Sequence, residues 1–203
     1  MKKDNAGLAE KVRLRLEALK HLDATPYVLE CYAGRGEIGA RLYGERGIAI
    51  EKDEVKAALL ARRRPSWAVY EGDCVAALRA GLAAEEPVNF VDVDPYGDPW
   101  PAVEAFLSRR ESSGPVVVAV NDGLGKTIKM GNSWKIKSLS RAVDHFGSDL
   151  WDIYPKVCRW LFGEIATENG YRLEHFAAFR GGASQQMTHY CAVLSGAAAP
   201  AKG

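Results

Sequence analysis

Four short apolar runs in the first half of the chain each stop at an acid or a glycine, and this repetition constrains the fold more than any other feature. The runs are Tyr27-Val28-Leu29 before Glu30, Gly47 to Ile50 before Glu51, Trp67 to Tyr70 before Glu71-Gly72-Asp73, and Val88 to Val93 before Asp94. Short apolar runs bounded by turn residues read as buried strands. Strands that alternate with helical patterns predict a parallel sheet covered by helices on both faces. Open sheets of this kind bind ligands beyond the carboxyl ends of their strands. The acids and glycines therefore mark one side of the sheet as the side that matters.

The rest of the chain continues the alternation. Leu8, Val12, Leu16 and Leu19 recur at helical spacing in the segment Leu8 to Leu22, an amphipathic helix expected to pack on the sheet. Asp53 is placed to cap a helix from Glu54 to Arg62, and Pro65 to end it. Asp73 to Leu82 and Pro101 to Arg109 read as two further helices. Pro115 to Val120 is apolar on both faces, as a central parallel strand should be. A helix from Tyr154 to Asn169 starts on Pro155 and stops at Gly170. Tyr171 to Phe179 and Met187 to Leu194 follow as strands joined by the loop Gly181 to Gln186, which makes them antiparallel neighbours. The expected fold is one doubly wound α/β domain over residues 1–203. Its sheet is mostly parallel, with one antiparallel strand in the C-terminal hairpin. Residues 1–26 hold the N-terminal helix, 123–149 an insertion, and 196–203 an Ala, Pro and Gly-rich tail expected to fray.

Three strand ends carry distinct chemistry. After the first, Gly34, Gly36 and Gly39 have the G-x-G-x-x-G spacing that brings a loop backbone against a cofactor. After the second, Glu51 is placed to take both hydroxyls of a ribose. After the fourth comes Asp94-Pro95-Tyr96-Gly97. Pro95 stiffens the turn and pushes Asp94 toward an extended conformation. Tyr96 offers a face for a planar ring, and Gly97 lets a ligand approach the backbone. These groups suit a flat heterocycle that carries an NH₂.

On these residues the chain resembles the class I S-adenosylmethionine-dependent methyltransferases, from about Tyr27 to Leu194. The resemblance implies S-adenosylmethionine as cofactor. Glu30, Tyr32, Gly34 and Gly36 would belong to the loop that takes its methionine part, Glu51 to the ribose, and Asp73 with the Cys74 backbone to the adenine. Asp94-Pro95-Tyr96-Gly97 is similar to the Asp/Asn-Pro-Pro-aromatic motif of enzymes that methylate nucleobase amino groups. It is nearest to the Asp-Pro-Phe-Gly of the tRNA guanine N2-dimethyltransferases. Asp94, Pro95 and Tyr96 would then be catalytic and Gly97 substrate-binding. The second proline of the adenine enzymes is absent. At 203 residues the chain is expected to lack the additional RNA-binding domain of the tRNA enzymes.

The glycine spacing also occurs in nicotinamide dehydrogenases. Glu30 counts against that reading, because an acid four residues before Gly34 would face the dinucleotide pyrophosphate, a like-charge contact. Near the α-amino group of S-adenosylmethionine the same acid is favourable. Cys31, Cys74, Cys158 and Cys191 are widely spaced with no C-x-x-C, so they read as small buried hydrophobes in a reducing, cytoplasmic protein and no metal site is expected. No apolar stretch approaches the ~20 residues of a membrane span, and no h-region follows Met1-Lys2-Lys3-Asp4.

A net charge of +1 does not announce a nucleic-acid binder, but the charge is unevenly placed. From Gly123 to Arg141 the insertion holds Lys126, Lys129, Lys135, Lys137 and Arg141, with Trp134 among them and no acid. Following a strand carboxyl end, it is expected to form a basic, aromatic lid that grips a phosphate backbone and stacks a base. The expected function is methyl transfer to an exocyclic amine of a nucleobase, in RNA rather than DNA. A DNA amino-methyltransferase, a small-molecule or protein N-methyltransferase and a non-catalytic cofactor-binding module are the alternatives.

Overall fold

Alternate residues of a strand point to opposite faces, and here each face has its own apolar layer. In the computed structural model, which describes residues 8–111, 114–181 and 185–196, the strands are β1 (Val28–Cys31), β2 (Gly47–Glu51), β3 (Ala68–Glu71), β4 (Phe90–Val93), β5 (Val116–Asp122), β6 (Tyr171–Gly181) and β7 (Met187–Gly196). They form one sheet in the order β3-β2-β1-β4-β5-β7-β6. β1 to β5 are parallel, and β7 runs antiparallel to both of its neighbours. This is the Rossmann-like arrangement expected from the alternation and the terminal hairpin.

The helices are α1 (Leu8–Leu19), α2 (Gly39–Leu42), α3 (Glu54–Arg63), α4 (Cys74–Arg79), α5 (Trp100–Arg109), α6 (Gly125–Lys129), α7 (Ser140–Phe146) and α8 (Tyr154–Glu168). On one face Leu29, Cys31, Val91, Val93, Val118 and Val120 pack with α4, α5 and α8. On the other, Val28, Ala49, Phe90, Val117 and Ala119 pack with Leu14 and Ala18 of α1, Leu60 of α3, and Tyr43 and Trp67. Asp53 caps α3 by accepting from Lys56 N–H at 3.0 Å, as its sequence position predicts.

α1 packs on the sheet, but not on the stripe that its hydropathy marks. Its buried residues are Lys11, Leu14, Arg15 and Ala18, while Leu16 is 48% exposed. The physical reason lies in the sheet. Asp92 and Asp94 stand on the face that α1 covers, and their carboxylates draw Arg15 and Lys11 inward. The insertion is ordered as α6, two short 3₁₀ turns (Ser133–Lys135 and Lys137–Leu139) and α7, with Ile128, Leu139 and Ala142 in the core. The stretch Met1 to Asp4, residues 182–184 of the hairpin loop and residues 197–203 of the tail lie outside the described residues. Among the described residues no helix is long and apolar enough to cross a membrane, and no His, Cys, Asp and Glu side chains cluster as metal ligands.

Candidate active site

Beyond the carboxyl ends of β1 to β4 lies a cavity of about 440 Å³, a size typical of small-molecule sites, which run ~300–1,000 Å³. The loop after β1 makes one wall. It passes through left-handed backbone at Tyr32 (φ 59°), Gly34 (φ 59°) and Gly36 (φ 68°). Glycine adopts this conformation freely, whereas Tyr32 does so at a cost of order 1–3 kcal/mol. A Cβ placed at Gly34 would meet no atom within 4 Å, so its backbone is open to the cavity. Gly36 lies behind the wall, where a Cβ would collide with Leu60 Cδ1.

Glu51 joins this wall to β2. Its carboxylate accepts from Gly34 N–H at 2.6 Å and from Asp53 N–H at 2.8 Å. An ionised carboxylate offers about four lone-pair positions, so capacity remains for a ligand. Asp73 lines the same cavity from the end of β3. It caps α4 through Ala76 N–H at 3.0 Å and faces Lys52 at 3.7 Å. Cys74 sits beside it with a buried thiol, and all four cysteines are free and buried. The Cys31 thiol is raised by its hydrogen bond with Cys74 and by burial, so Cys31 is not poised as a nucleophile.

The floor is charged and buried. β1 and β4 pair in a register that sets Glu30 beside Asp92. Arg15 Nε donates to Asp92 Oδ2 at 2.7 Å, its Nη2 donates to Oδ1, and Tyr43 O–H donates to Oδ2 at 2.6 Å. Arg15 Nη1 reaches Asn121 Oδ1 at 3.4 Å, and His189 Nδ1 stands 2.6 Å from the same oxygen. Burial lowers His189 to about 4, so it stays neutral and donates from Nδ1. Glu30 is different. Burial first, then Asp92, pushes its carboxyl up to about 8, and Oε2 is buried with no hydrogen-bond partner. A buried, under-satisfied carboxyl on a cavity wall suits a cationic ligand group.

The turn after β4 closes the site. Asp94, Pro95 and Tyr96 line the cavity, and Tyr96 is 85% exposed at its rim. The Asp94 carboxylate accepts from Lys11 Nζ at 2.8 and 2.7 Å. Gly97 is outside the lining, but its carbonyl accepts from Gly123 N–H at 3.0 Å. Ser138 Oγ donates to Asp98 Oδ2 at 2.6 Å. The insertion is thus tied at two points to the turn that carries Asp94. Its basic side chains Lys126, Lys129, Lys135 and Lys137, and Trp134 with them, are not part of the cavity wall. Trp134 is 63% exposed, with Lys135 Nζ 5.0 Å from its ring centre. Lys129 covers Trp151 at 5.2 Å, and Lys137 borders a second groove with Arg79 and Arg141.

Sequence reasoning brought together Glu30, Tyr32, Gly34, Glu51, Asp73, Cys74 and the Asp94 turn, which share one cavity. It missed Lys11, Arg15, Tyr43 and Met187. The available signal was weak: Lys11 and Arg15 are one helical turn apart and look like a solvated face.

No protein-family model matches the chain, and no curated protein matches its sequence. Solved structures do match its fold. Trm1 from Pyrococcus horikoshii with S-adenosyl-L-methionine superposes with a TM-score of 0.65 at 12% identity, over 94% of this chain and 55% of that one. A putative RNA methyltransferase from Pyrococcus horikoshii gives 0.55 at 15% identity, over 96% and 87%. The N-methyltransferase NodS from Bradyrhizobium japonicum WM9 gives 0.57 at 11% identity, over 98% and 100%. At these identities the likeness establishes the fold.

Proposed function

From a fold shared with class I S-adenosylmethionine-dependent methyltransferases, we propose that this protein is such an enzyme and that it methylates an exocyclic amine of a nucleobase, in RNA. The observation that carries the reading is the single cavity that Gly34, Glu51 and Asp73 share with Asp94, Pro95 and Tyr96. One side offers what a nucleoside cofactor needs, and the other offers what an aromatic amine needs.

The residues fit S-adenosylmethionine. Glu51 takes the ribose hydroxyls, Asp73 and the Cys74 backbone the adenine, and the open Gly34 backbone the methionine part. The under-satisfied Glu30 carboxyl meets the α-ammonium. The cofactor supplies an electrophilic methyl group on a sulfonium. Everything else is positioning, an effect that can be worth ~7–11 kcal/mol in well-oriented systems.

A ring amine is a poor nucleophile because its lone pair is delocalised into the ring. Asp94 accepts one amine proton, and the Pro95 or a neighbouring carbonyl the other, which turns the lone pair out of conjugation. Asp94 then takes the proton that the amine must lose. Tyr96 stacks on the base from the rim. A base within a helix is flipped out to reach it. Lys11 yields one Asp94 oxygen when the amine arrives.

The insertion is the proposed RNA-binding surface. Lys126, Lys129, Lys135 and Lys137 meet phosphates, and Trp134 stacks an unpaired base. Its two ties to the Asp94 turn support this, since they join the insertion to the segment that carries the proposed catalytic residues. One observation favours a second reading. None of these lysines lines the cavity, so a small amine that never touches the insertion also fits. Incubation with methyl-labelled S-adenosylmethionine and separated RNA, DNA, protein and small-molecule fractions decides between them. Label in RNA that digests to an N-methylated nucleoside is the expected result. Label confined to small molecules selects the second reading.

A further inference from the structure

The carboxylate proposed to hold the acceptor amine already holds an amine of its own chain. Lys11 reaches Asp94 from α1, with Nζ 2.8 Å from Oδ1 and 2.7 Å from Oδ2. It is not a surface group that strayed inward, since Lys11 is 8% exposed and lines the cavity. Arg15, one turn along, fixes its backbone by donating to Lys11 O at 3.0 Å while bound to Asp92. Rotating the helix to withdraw Lys11 would break the buried Arg15–Asp92 pair. Only the flexible four-carbon stem of Lys11 can move. Buried contacts therefore deliver a primary amine to Asp94, inside the cavity that Glu51 and Gly34 line.

We propose that Lys11 is a built-in pseudosubstrate and a site of self-methylation. This rests on the methyl-transfer reading above. One ammonium proton passes to Asp94 and on to solvent, which frees the Nζ lone pair. The N–C bond forms to the methyl carbon as the S–C bond breaks. The electron pair of that bond stays on sulfur, leaving neutral S-adenosylhomocysteine. Lys11 ends as a methylammonium with its charge intact, so its pairing with Asp94 survives. An alkyl amine is intrinsically the better nucleophile, because its lone pair is not delocalised. Its protonation is what slows it, and Asp94 is the acceptor within reach of the proton that must leave. Lys52 and Lys56 also line the cavity but do not contact Asp94; Lys52 stands instead 3.7 Å from Asp73. They are internal controls for position.

The test needs no acceptor. The purified protein is incubated with methyl-labelled S-adenosylmethionine alone, digested and mapped by mass spectrometry, with cofactor binding followed by calorimetry. The expected result is a methyl increment on Lys11 and none on Lys52 or Lys56. Lys11→Arg, Lys11→Met and Asp94→Asn should lose the label while each still binds the cofactor. Circular dichroism identifies any variant that fails to fold, and the site mapped in the parent decides in that case. A parent that binds the cofactor and carries no label on Lys11 overturns the proposal and leaves the methyltransferase reading standing. A parent that binds no cofactor overturns both.

Discussion

Glu51 accepts a hydrogen bond from the backbone N–H of Gly34 at 2.6 Å. The acid at the end of β2 thus pins the loop after β1, and one carboxylate sets the spacing between two walls of the cavity. Each Glu51 oxygen accepts one backbone hydrogen bond and keeps capacity for a second, and the residue lines the cavity, where a ribose would offer two hydroxyl donors.

Each charge-assisted hydrogen bond of this kind is worth ~1.5–3 kcal/mol. Glu51→Ala is therefore expected to weaken S-adenosylmethionine binding by about ten- to a hundredfold or more. Glu51→Gln keeps an acceptor for Gly34 N–H and separates loop anchoring from ribose binding. Calorimetry on folded variants measures both. Parental affinity in Glu51→Ala would remove the assignment, and tight NADH binding by the parent would remove the cofactor class.

The strand ends were legible because apolar runs and turn chemistry are local, although the edge strand β3 is largely exposed and not buried as its apolar run suggests. Glu30, Glu51, Asp73 and Asp94 each follow an apolar run, and parallel pairing brings their ends to one side whatever the details of packing. The face of α1 was not legible. Hydropathy counts Lys11 and Arg15 as solvent residues, and the acids that bury them lie 83 and 77 positions away. The insertion was visible as a basic stretch but not as structure. α6 has five residues and α7 seven, too short for helical periodicity to stand out. Met187 reached the cavity through the β6–β7 hairpin, a long-range placement that no spacing announces.

The buried pair Arg15–Asp92 should dominate the stability of the α1 interface. Losing one partner strands the other charge in a dry site, at a cost of about 3–5 kcal/mol. Arg15→Met and Asp92→Leu are each expected to lose that much in urea unfolding. The double variant should lose far less than the two losses added together, because no charge is left unpaired. Additive losses would mean that the two side chains act independently.

Glu30 predicts a pH dependence with a definite sign. Its carboxyl is raised from 4.5 to about 8 by burial, with Asp92 adding to the shift. The folded protein keeps a proton that the unfolded chain has released, so stability falls as pH rises through that interval. The contribution is complete below 4.5 and lost above about 8. Asp122, raised by burial to about 7, acts in the same direction. Comparison with Glu30→Gln isolates Glu30: the variant should show a flatter fall in unfolding midpoint over this range. Parallel curves would show that Glu30 is ionised throughout.

If the insertion meets phosphates, RNA affinity should fall steeply with salt, by ~0.7–0.9 per contact on log–log axes. Replacing Lys135 and Lys137 by Gln should flatten the slope by roughly two such contacts while cofactor affinity stays unchanged. Filter binding across a salt series measures it. An unchanged slope would assign the insertion to packing alone and favour a small-molecule acceptor.

Asp94 separates an enzyme from a cofactor-binding module. Its carboxylate is held by Lys11, and β2 and β1 lie between β4, which it follows, and β3, which precedes Asp73. Its loss should therefore fall on the chemical step. Asp94→Ala is expected to keep near-parental affinity for S-adenosylmethionine and to lose methyl transfer by about 10²–10⁴, the range for a positioned acid–base group. Removing the carboxylate also leaves Lys11 without its partner, so the fold must be checked by melting. Lys11→Met paired with Asp94→Ala removes that unpaired charge and restores stability without restoring turnover. Tyr96→Ala should instead weaken acceptor binding, since stacking on a base is worth ~1–3 kcal/mol. It should raise KM more than it lowers kcat. Undiminished turnover in Asp94→Ala would make the turn after β4 a structural element, and the acceptor chemistry would have to lie elsewhere in the cavity.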